Sequence, residues 1–271
     1  MSGPAAQLRG TGSRARKSLG QHFLANPQVA RRIVELAGVG EGSRVLEIGP
    51  GLGALTEPLL AVGARVVAVE RDRVLAAALQ ERLPGLELHV ADAMQVDWAA
   101  LLPGPGWRCV ANLPYNVGTH LVSRMVRAPG TFERLVVMLQ LEVAERITAA
   151  PGGHAYGALS VELAARAEAR LLLRVRPGSF HPPPRVESAV LELVPRPHPA
   201  VADLDLDGFD QVVRAAFAQR RKMLRRSLSA IYGQELATCA LAAAGVSPEE
   251  RPERLPIEAL AALAKALLLP L

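Results

Sequence analysis

The stretch RVLEIGPGLGALT, residues 44–56, decides the fold of this chain. Its apolar residues Val45, Leu46 and Ile48 predict a short buried strand of the kind found in parallel sheets. Glycines follow at alternate positions, and residues 54–60 predict a helix. Glycine tolerates positive φ and lets a ligand approach the backbone closely. In an open α/β sheet such a turn lies at the carboxyl end of the strand, where ligands bind.

Two classes of ligand use a turn of this kind. A dinucleotide site has the spacing G-x-G-x-x-G/A, into which Gly49, Gly51 and Ala54 can be forced. The stretch fits better as E-x-G-x-G-x-G, with Glu47 in the strand and Gly53 as the third glycine. This spacing resembles the first motif of S-adenosylmethionine (AdoMet) methyltransferases, which implies that the glycines admit the amino-acid end and sulfonium of AdoMet. An ordinary glycine-rich turn without a ligand is the alternative.

The composition is that of a globular protein with a sizeable core. The chain has 271 residues, of which 50% are hydrophobic, and this length suits one large α/β domain plus a small one. A formal net charge of +5 and a pI of about 9.7 suggest a polyanionic partner. Codon bias or a hot habitat would explain the excess of arginine over lysine equally well.

Several classes of protein are disfavoured by what the sequence lacks. Cys109 and Cys239 are the only cysteines, and the histidines form no H-E-x-x-H or similar cluster, so we expect neither a disulfide framework nor a bound metal. The polar, arginine-rich N-terminus is unlike a signal peptide. No apolar run reaches the roughly 18 residues of a membrane span. A cytoplasmic enzyme or binding protein is therefore expected.

The first 20 residues have low complexity and contain no acidic residue. They predict a flexible basic arm in which Arg14, Arg16 and Lys17 are candidates for contact with RNA. A tail without a partner is the alternative.

Two carboxylates follow the next two predicted strands. Residues 64–69 form a strand that ends in Glu70, about 20 residues past the glycine turn, where an acid binds ribose hydroxyls. Residues 86–90 form the third strand, and Asp92 comes directly after it. Methyltransferases that this chain resembles place a carboxylate there, near the adenine amino group of AdoMet. A helix cap is the alternative role for Asp92.

The most specific motif is Asn112-Leu113-Pro114-Tyr115, which follows a strand at residues 108–111. It resembles the [DNS]-P-P-[YF] motif of amino-group methyltransferases. The exocyclic N6 of adenine is a poor nucleophile because its lone pair is delocalised into the ring. The Asn112 side-chain oxygen and the backbone carbonyl of Leu113 or Pro114 can accept its two N–H groups, and Tyr115 can stack on the base. A proline-fixed turn preorganises these acceptors. A turn with a packed tyrosine is the alternative.

Two loops resemble the ribosomal RNA adenine dimethyltransferase family. GQHFL, residues 20–24, is similar to that family's G-Q-[NH]-F-L signature, a loop that closes over AdoMet, which implies cofactor contacts for His22 and Leu24. FHPPPRVES, residues 180–188, is similar to the family's F-x-P-x-P-x-V-x-S loop. Phe180 is our candidate for the second face of an adenine sandwich with Tyr115. A hydrophobic plug in a rigid loop is the alternative.

A proline-rich linker at residues 195–199 precedes a region that predicts only helices, from 209 to the end. A basic cluster in this region suggests a polyanion-binding face, although a solvated face is the alternative. Its candidate RNA-binding residues are Arg220, Arg221, Lys222, Arg225 and Arg226. The expected domains are therefore the arm at 1–20, a methyltransferase domain at 21–196 and a helical RNA-binding domain at 200–271.

The expected fold is α/β, a Rossmann-like AdoMet methyltransferase sheet with an antiparallel edge strand, plus a small all-α C-terminal domain. The family resemblance implies a monomeric, AdoMet-dependent enzyme that dimethylates N6 of two adjacent adenosines near the 3′ end of 16S rRNA, in the small ribosomal subunit. Three alternatives stay open. They are a large-subunit rRNA adenine-N6 methyltransferase of the antibiotic-resistance type, a nicotinamide dehydrogenase and a non-catalytic rRNA-binding assembly factor.

Overall fold

The computed structural model describes residue 8 and residues 21–128, 130–219 and 223–268. Contacts divide the chain into two units. The first unit runs to Ala144 and includes Arg170–Pro195, and the second comprises Glu145–Ala169 and the chain from Arg196 onward. Within the described residues, no helix has both the length and the apolar character that crossing a bilayer requires.

The strands of the described chain make one large sheet and one small one. They are β1 (Phe23–Leu24), β2 (Arg44–Ile48), β3 (Arg65–Glu70), β4 (Glu87–Val90), β5 (Trp107–Asn112), β6 (Phe132–Gln140), β7 (Ala167–Val175), β8 (Phe180–His181) and β9 (Ser188–Pro195). The large sheet has the order β4-β3-β2-β5-β6-β9-β7. Strands β4, β3, β2, β5 and β6 are parallel, and β9 is antiparallel to β6. The mixed sheet confirms the expected fold class, with the antiparallel β9 lying one position inside the edge strand β7.

Helices alternate with strands from β1 to β6, and only helices follow β9 in the described chain. They are α1 (Pro27–Ala37), α2 (Thr56–Ala61), α3 (Arg73–Arg82), α4 (Trp98–Leu101), α5 (Gly118–Val126), α6 (Leu141–Ile147), α7 (Ala158–Ala164), α8 (Leu206–Phe217), α9 (Leu224–Tyr232), α10 (Gln234–Ala243) and α11 (Ile257–Leu268). Helix α1 shows how local sequence sets the bounds. The Asn26 side chain accepts hydrogen bonds from the backbone of Gln28 and Val29, and Gly38 ends the helix at φ +60°.

Strand β2 is an interior strand of the large sheet, with β3 on one side and β5 on the other. Val45, Leu46 and Ile48 are at most 2% exposed, which confirms the buried strand that their apolar character predicts. Strands β3 and β5 flank it in parallel register. The carboxyl ends of β2, β3 and β5 therefore open onto one edge of the sheet, where the glycine turn lies.

Residues 145–169 belong to the second unit. The sequence predicts a methyltransferase domain at 21–196 that includes these residues, but their packing groups them with the helical unit. Tyr156, Val161 and Ala165 are buried in a core that consists otherwise of residues from 201 onward. Arg166 and Asp210, at most 6% exposed, form a bidentate ion pair with 2.8 and 2.9 Å contacts. Apolar packing and this ion pair hold the segment to helix α8.

Candidate functional site

A cavity of about 920 Å³, part of it open to solvent, lies at the carboxyl ends of the parallel strands. It is lined by the glycine turn, the ends of β3 and β4, the segment 112–117 and the residues before and within β1. The residues are Gln21, His22, Phe23, Ile48, Gly49, Gly51, Val69, Glu70, Arg71, Leu75, Ala91, Asp92, Ala93, Met94, Asn112, Leu113, Pro114, Tyr115, Asn116, Val117 and Leu121.

Gly49 and Gly51 form the floor of this cavity and have φ values of +66° and +55°. A Cβ on Gly51 would lie 3.0 Å from two ring atoms of Phe23, whereas one on Gly49 would have no atom within 4 Å. A side chain at 49 would thus project into space that is open, and one at 51 would push the ring aside. Both glycines line the cavity, and the backbone of Gly49 faces open space.

Gly53 is not among the residues that line the cavity, and the cofactor contact predicted for it stays a prediction. Its φ is +80°, and a Cβ there would lie 2.5 Å from the guanidinium of Arg82 and 2.9 Å from Leu79. Arg82 donates a 2.6 Å hydrogen bond to the Leu52 carbonyl and forms an ion pair with Glu57. Gly53 therefore leaves room for the guanidinium of Arg82, which hydrogen-bonds to the backbone of the glycine turn.

The Glu70 carboxylate is held by backbone amides at the end of β3. Its Oε2 accepts from Gly51 N at 3.1 Å, and its Oε1 accepts from Asp72 N at 2.8 Å. Burial, the largest effect, raises the pKa of Glu70 from its ordinary value, and the amide hydrogen bonds partly oppose this. The side chain is fixed at the cavity wall next to the glycine turn, where the sequence predicts ribose recognition.

Asp92 lies at the cavity, as predicted, and also caps the loop that follows β4. Its Oδ1 accepts from Met94 N at 2.9 Å, and its Oδ2 forms an ion pair with Arg71 at 3.4 Å. The two roles that sequence analysis weighed for Asp92 are thus compatible, since each carboxylate oxygen has a second lone pair.

Asn112 is the last residue of β5, and its amide has a defined orientation. Nδ2 donates a 3.0 Å hydrogen bond to the backbone carbonyl of His22, which leaves Oδ1 as the acceptor for a ligand. The Pro114 carbonyl accepts from Val117 N and Gly118 N at 3.2 and 2.8 Å, where helix α5 begins. Of the two carbonyls that the motif offered, that of Leu113 is therefore the better placed to accept a second N–H.

The Tyr115 ring is held at both its edge and one face. Its hydroxyl shares a 2.6 Å hydrogen bond with Ser188 Oγ, and its ring stacks on His22 with centroids 5.3 Å apart and planes at 29°. His22 Nδ1 contacts the Pro182 carbonyl at 2.8 Å. Burial raises the pKa of Tyr115, so the phenol stays neutral. His22 thus belongs to the site, with its ring against tyrosine.

Phe180 and Leu24 are not among the residues that line the cavity, and the ligand contacts predicted for them stay predictions. Each is 4% exposed, and both belong to the hydrophobic core of the first unit. Their strands β1 and β8 pair so that Leu24 lies opposite Phe180. Phe180 therefore plugs the core, the alternative that sequence analysis retained, and the aromatic ring found against Tyr115 is His22.

Glu47 is a buried acid that sequence analysis named only as part of the glycine motif. It is 1% exposed, and its Oε2 accepts a 2.7 Å hydrogen bond from the hydroxyl of Thr56, the first residue of α2. Burial raises the pKa of Glu47 from 4.5 to about 8. The neutral carboxyl thus ties β2 to α2 across the glycine turn.

The cavity also includes residues that sequence analysis did not assign. Gln21 and Phe23 lie in the GQHFL loop, so the resemblance could have drawn attention to them, whereas Arg71, Met94 and Leu121 lie in no motif. Leu8, the one described residue of the predicted arm, is 6% exposed and packs with Phe23, Leu52 and Leu75. In the part of the chain that the structure describes, no cluster of three acids, histidines or cysteines could hold a metal.

The donor set fits a nucleoside-containing cofactor such as AdoMet. The open space beside the Gly49 backbone suits close approach of a ligand, and Glu70 and Asp92 present acceptors for hydroxyl or amino groups. The lining combines apolar walls with a few convergent polar groups, which is typical of such sites.

The RNA-binding predictions are only partly within the described residues. Arg14, Arg16, Lys17, Arg220, Arg221 and Lys222 lie outside the residues that the structure describes. Arg225 and Arg226 are exposed on α9. Arg214, near them in sequence, is instead paired with Glu162 at 2.9 Å.

Comparison with known proteins shows one family over almost the whole chain. The model of the family described as Ribosomal RNA adenine dimethylase matches residues 12–268. Two relatives are named Ribosomal RNA small subunit methyltransferase A. One, from Phenylobacterium zucineum, is 48% identical and aligns over 96% of this chain and 90% of its own length. The other, from Syntrophotalea carbinolica, is 45% identical, with 93% and 96% covered.

Two solved structures of RNA-modifying enzymes are also similar to this chain over most of its length. A dimethyladenosine transferase from Plasmodium falciparum superimposes with a TM-score of 0.74 at 25% identity, covering 89% of this chain and 96% of its own. The 23S rRNA methyltransferase ErmE gives a TM-score of 0.68 at 28% identity, with 90% and 99% covered.

Proposed function

Because this chain belongs to the ribosomal RNA adenine dimethylase family, we propose that it dimethylates N6 of two adjacent adenosines near the 3′ end of 16S rRNA, using AdoMet. Relatives that are 41–48% identical carry the name Ribosomal RNA small subunit methyltransferase A, which favours the small subunit. The activity is a step of ribosome biogenesis and belongs in the cytoplasm, with the protein acting as a monomer.

One observation carries the proposal. The Asn112-Leu113-Pro114-Tyr115 turn and the glycine turn with Glu70 line the same cavity. An amine acceptor site and a nucleoside site therefore share one space, as a transfer between a cofactor and a base requires. A nicotinamide dehydrogenase would use the glycine turn but leave the Asn112 turn without a role.

The cofactor would rest on Gly49 and Gly51, with Glu70 at its ribose and Asp92 near its adenine. When bound, AdoMet supplies a methyl group on a sulfonium sulfur, which is already a good leaving group. The amides of Gly51 and Asp72 hold the Glu70 carboxylate in place, so this acceptor needs no reorganisation on binding. Phe23 and Leu75 contribute apolar surface to the cavity wall.

The Asn112 amide acts on the amine of the target base. Its Nδ2 is anchored to the His22 carbonyl, so Oδ1 can accept one N–H of N6, and the Leu113 carbonyl can accept the other. Two fixed acceptors draw the nitrogen towards tetrahedral geometry and direct its lone pair at the methyl carbon. Bound AdoMet would supply the methyl carbon, with the sulfonium sulfur as the leaving group, while Asn112 and Leu113 hold the N6 lone pair towards it and the displaced N6 proton can pass to water.

The Tyr115 ring gives the base a surface for stacking. Because a base inside an RNA fold is inaccessible, the target adenine must leave its stack and enter the cavity. Ser188 fixes the Tyr115 hydroxyl, and His22 covers one ring face. The adenine therefore stacks on the other face, or takes the place of His22. Most of the acceleration comes from positioning.

RNA binding is proposed for the basic residues that sequence analysis selected. Arg225 and Arg226 are exposed, as phosphate contacts require. We propose the same role for Arg14, Arg16, Lys17, Arg220, Arg221 and Lys222.

The test uses tritiated AdoMet and small ribosomal subunits that lack the methylation, followed by digestion to nucleosides. We expect label in 16S rRNA, as N6,N6-dimethyladenosine. The fold match to a 23S rRNA methyltransferase makes the large subunit the second candidate, so 23S rRNA is assayed in parallel. Label only in 23S rRNA would transfer the proposal to that substrate, and label in neither would overturn it.

The variant Asn112→Ala distinguishes a methyltransferase from a non-catalytic assembly factor that only binds rRNA. Removal of the Oδ1 acceptor is expected to lower methylation by about 100-fold or more. Unchanged methylation in Asn112→Ala would contradict the role of this amide, and a purely structural assembly factor predicts unchanged function of the variant in cells.

A further inference from the structure

Arg124 clamps the loop that carries Asp92 and Met94. It lies on α5, the helix that begins directly after the Asn112 turn. Its guanidinium donates two hydrogen bonds of 2.9 Å, one from Nη1 to the Ala93 carbonyl and one from Nη2 to the Val96 carbonyl. Both acceptors are backbone groups of the segment between β4 and α4, and Ala93 itself lines the cavity.

A buried tryptophan supports the Arg124 guanidinium. The Arg124 guanidinium carbon lies 5.6 Å from the ring centroid of Trp98, within reach of a cation–π contact. Trp98 is 4% exposed and meets Phe132 edge to face, with centroids 6.3 Å apart. The ring gives the guanidinium a rigid support, so its two donors keep their direction.

Besides the ion pair between Asp92 and Arg71, the hydrogen bonds found for residues 92–96 of the described chain are mostly local. Met94 N donates to Asp92 Oδ1, and Gln95 N donates to the Asp92 carbonyl at 2.8 Å, so these bonds join residues of the loop to one another. The Arg124 bonds instead connect the loop to a helix more than 25 residues away. A guanidinium fork can satisfy two carbonyls at once, which an ammonium cannot do with the same geometry.

We propose that Arg124 is a positioning residue that holds the 92–96 loop at the cavity and thereby sets the affinity for the adenine end of the cofactor. The inference rests on the proposed cofactor site, and it adds a residue that touches neither cofactor nor base. Since α5 begins at the end of the Asn112 turn, the same helix supports both halves of the site.

The chain offers a matched control in Arg44. Its guanidinium also donates to two backbone carbonyls, of Pro103 and Pro105, and also lies over a tryptophan, 5.5 Å from the centroid of Trp107. Arg44 begins β2, at the end of that strand opposite to the cavity. Loss of its contacts tests the general cost of removing such an arginine.

The experiment compares the full-length wild type with Arg124→Met, Arg124→Lys and Arg44→Met. Calorimetry measures the Kd of S-adenosylhomocysteine, hydrogen exchange follows the amides of Met94 and Gln95, and kinetics separate KM for AdoMet from kcat. For Arg124→Met we expect a Kd and KM at least about tenfold higher, because two hydrogen bonds to a charged donor are lost. The exchange of both amides becomes faster, while kcat at saturating AdoMet stays within about twofold.

The variants give distinct outcomes. Arg124→Lys is expected to lie between wild type and Arg124→Met, and Arg44→Met is expected to keep the wild-type Kd. If Arg124→Met binds as tightly as wild type, exchanges Met94 and Gln95 no faster, or shifts Kd only as much as Arg44→Met, the inference is overturned. A wild-type protein that binds no S-adenosylhomocysteine would instead overturn the proposed function.

Discussion

The buried carboxyl of Glu47 should control how stability depends on pH. Burial raises its pKa from 4.5 to about 8 in the folded protein, whereas the unfolded chain keeps the ordinary value. Between these two values the unfolded state has released the proton and the folded state retains it. Stability therefore falls as pH rises through this window, by about 1.4 kcal/mol per pH unit. The sign follows from the raised pKa, since the folded state binds more protons.

The magnitude at neutral pH follows from the same window. At pH 7 about two and a half pH units have been crossed, so Glu47 lowers the free energy of unfolding by about 3 kcal/mol relative to pH 4.5. Glu47→Gln removes the titration but keeps an oxygen that can accept from the Thr56 hydroxyl. We therefore expect the variant to lose less stability than the wild type between pH 5 and pH 8.

Urea unfolding at intervals across that range measures the difference. Glu35→Gln is the control, because Glu35 is an exposed carboxylate with 62% of its side chain accessible, paired with Arg32. The control should follow the wild-type slope. A Glu47→Gln slope equal to that of the wild type would refute the reasoning, since it would mean that Glu47 is already ionised in the folded protein.

Two further substitutions test the packing of Arg82 against Gly53 in the first unit and the ion pair of Arg166 with Asp210 in the second. Gly53→Ala puts a Cβ 2.5 Å from the Arg82 guanidinium at φ +80°, and we expect it to destabilise the protein by about 1–3 kcal/mol in urea unfolding. A stability equal to wild type would show that Arg82 moves freely. Asp210→Ala leaves the Arg166 guanidinium buried without its carboxylate, and we expect a loss of about 3–5 kcal/mol in the same assay. A loss below about 1 kcal/mol would mean that water reaches Arg166.

Local sequence determined the features that depend on neighbours along the chain. The strand, glycine turn and helix at residues 44–61 follow from hydrophobic pattern and backbone freedom, and Glu70, Asp92 and Asn112 follow their strands directly. Because parallel strands bring their carboxyl ends to one edge of the sheet, the sequence predicts that these residues lie near one another. In the structure, Glu70, Asp92 and Asn112 line the same cavity.

Tertiary structure alone decided which side chains face the cavity and which support it from behind. The pairing of β1 with β8 buries Phe180 in the core and leaves His22 against Tyr115, and no pattern within either segment distinguishes these outcomes. Residues 145–169 join the helical unit through an apolar core that they share with residues from 201 onward and through an ion pair of Arg166 with Asp210, 44 positions later. Arg124 reaches carbonyls about 30 positions earlier. The free energy of such contacts depends on chain segments that meet only after folding. A local sequence motif therefore does not predict which of these contacts form.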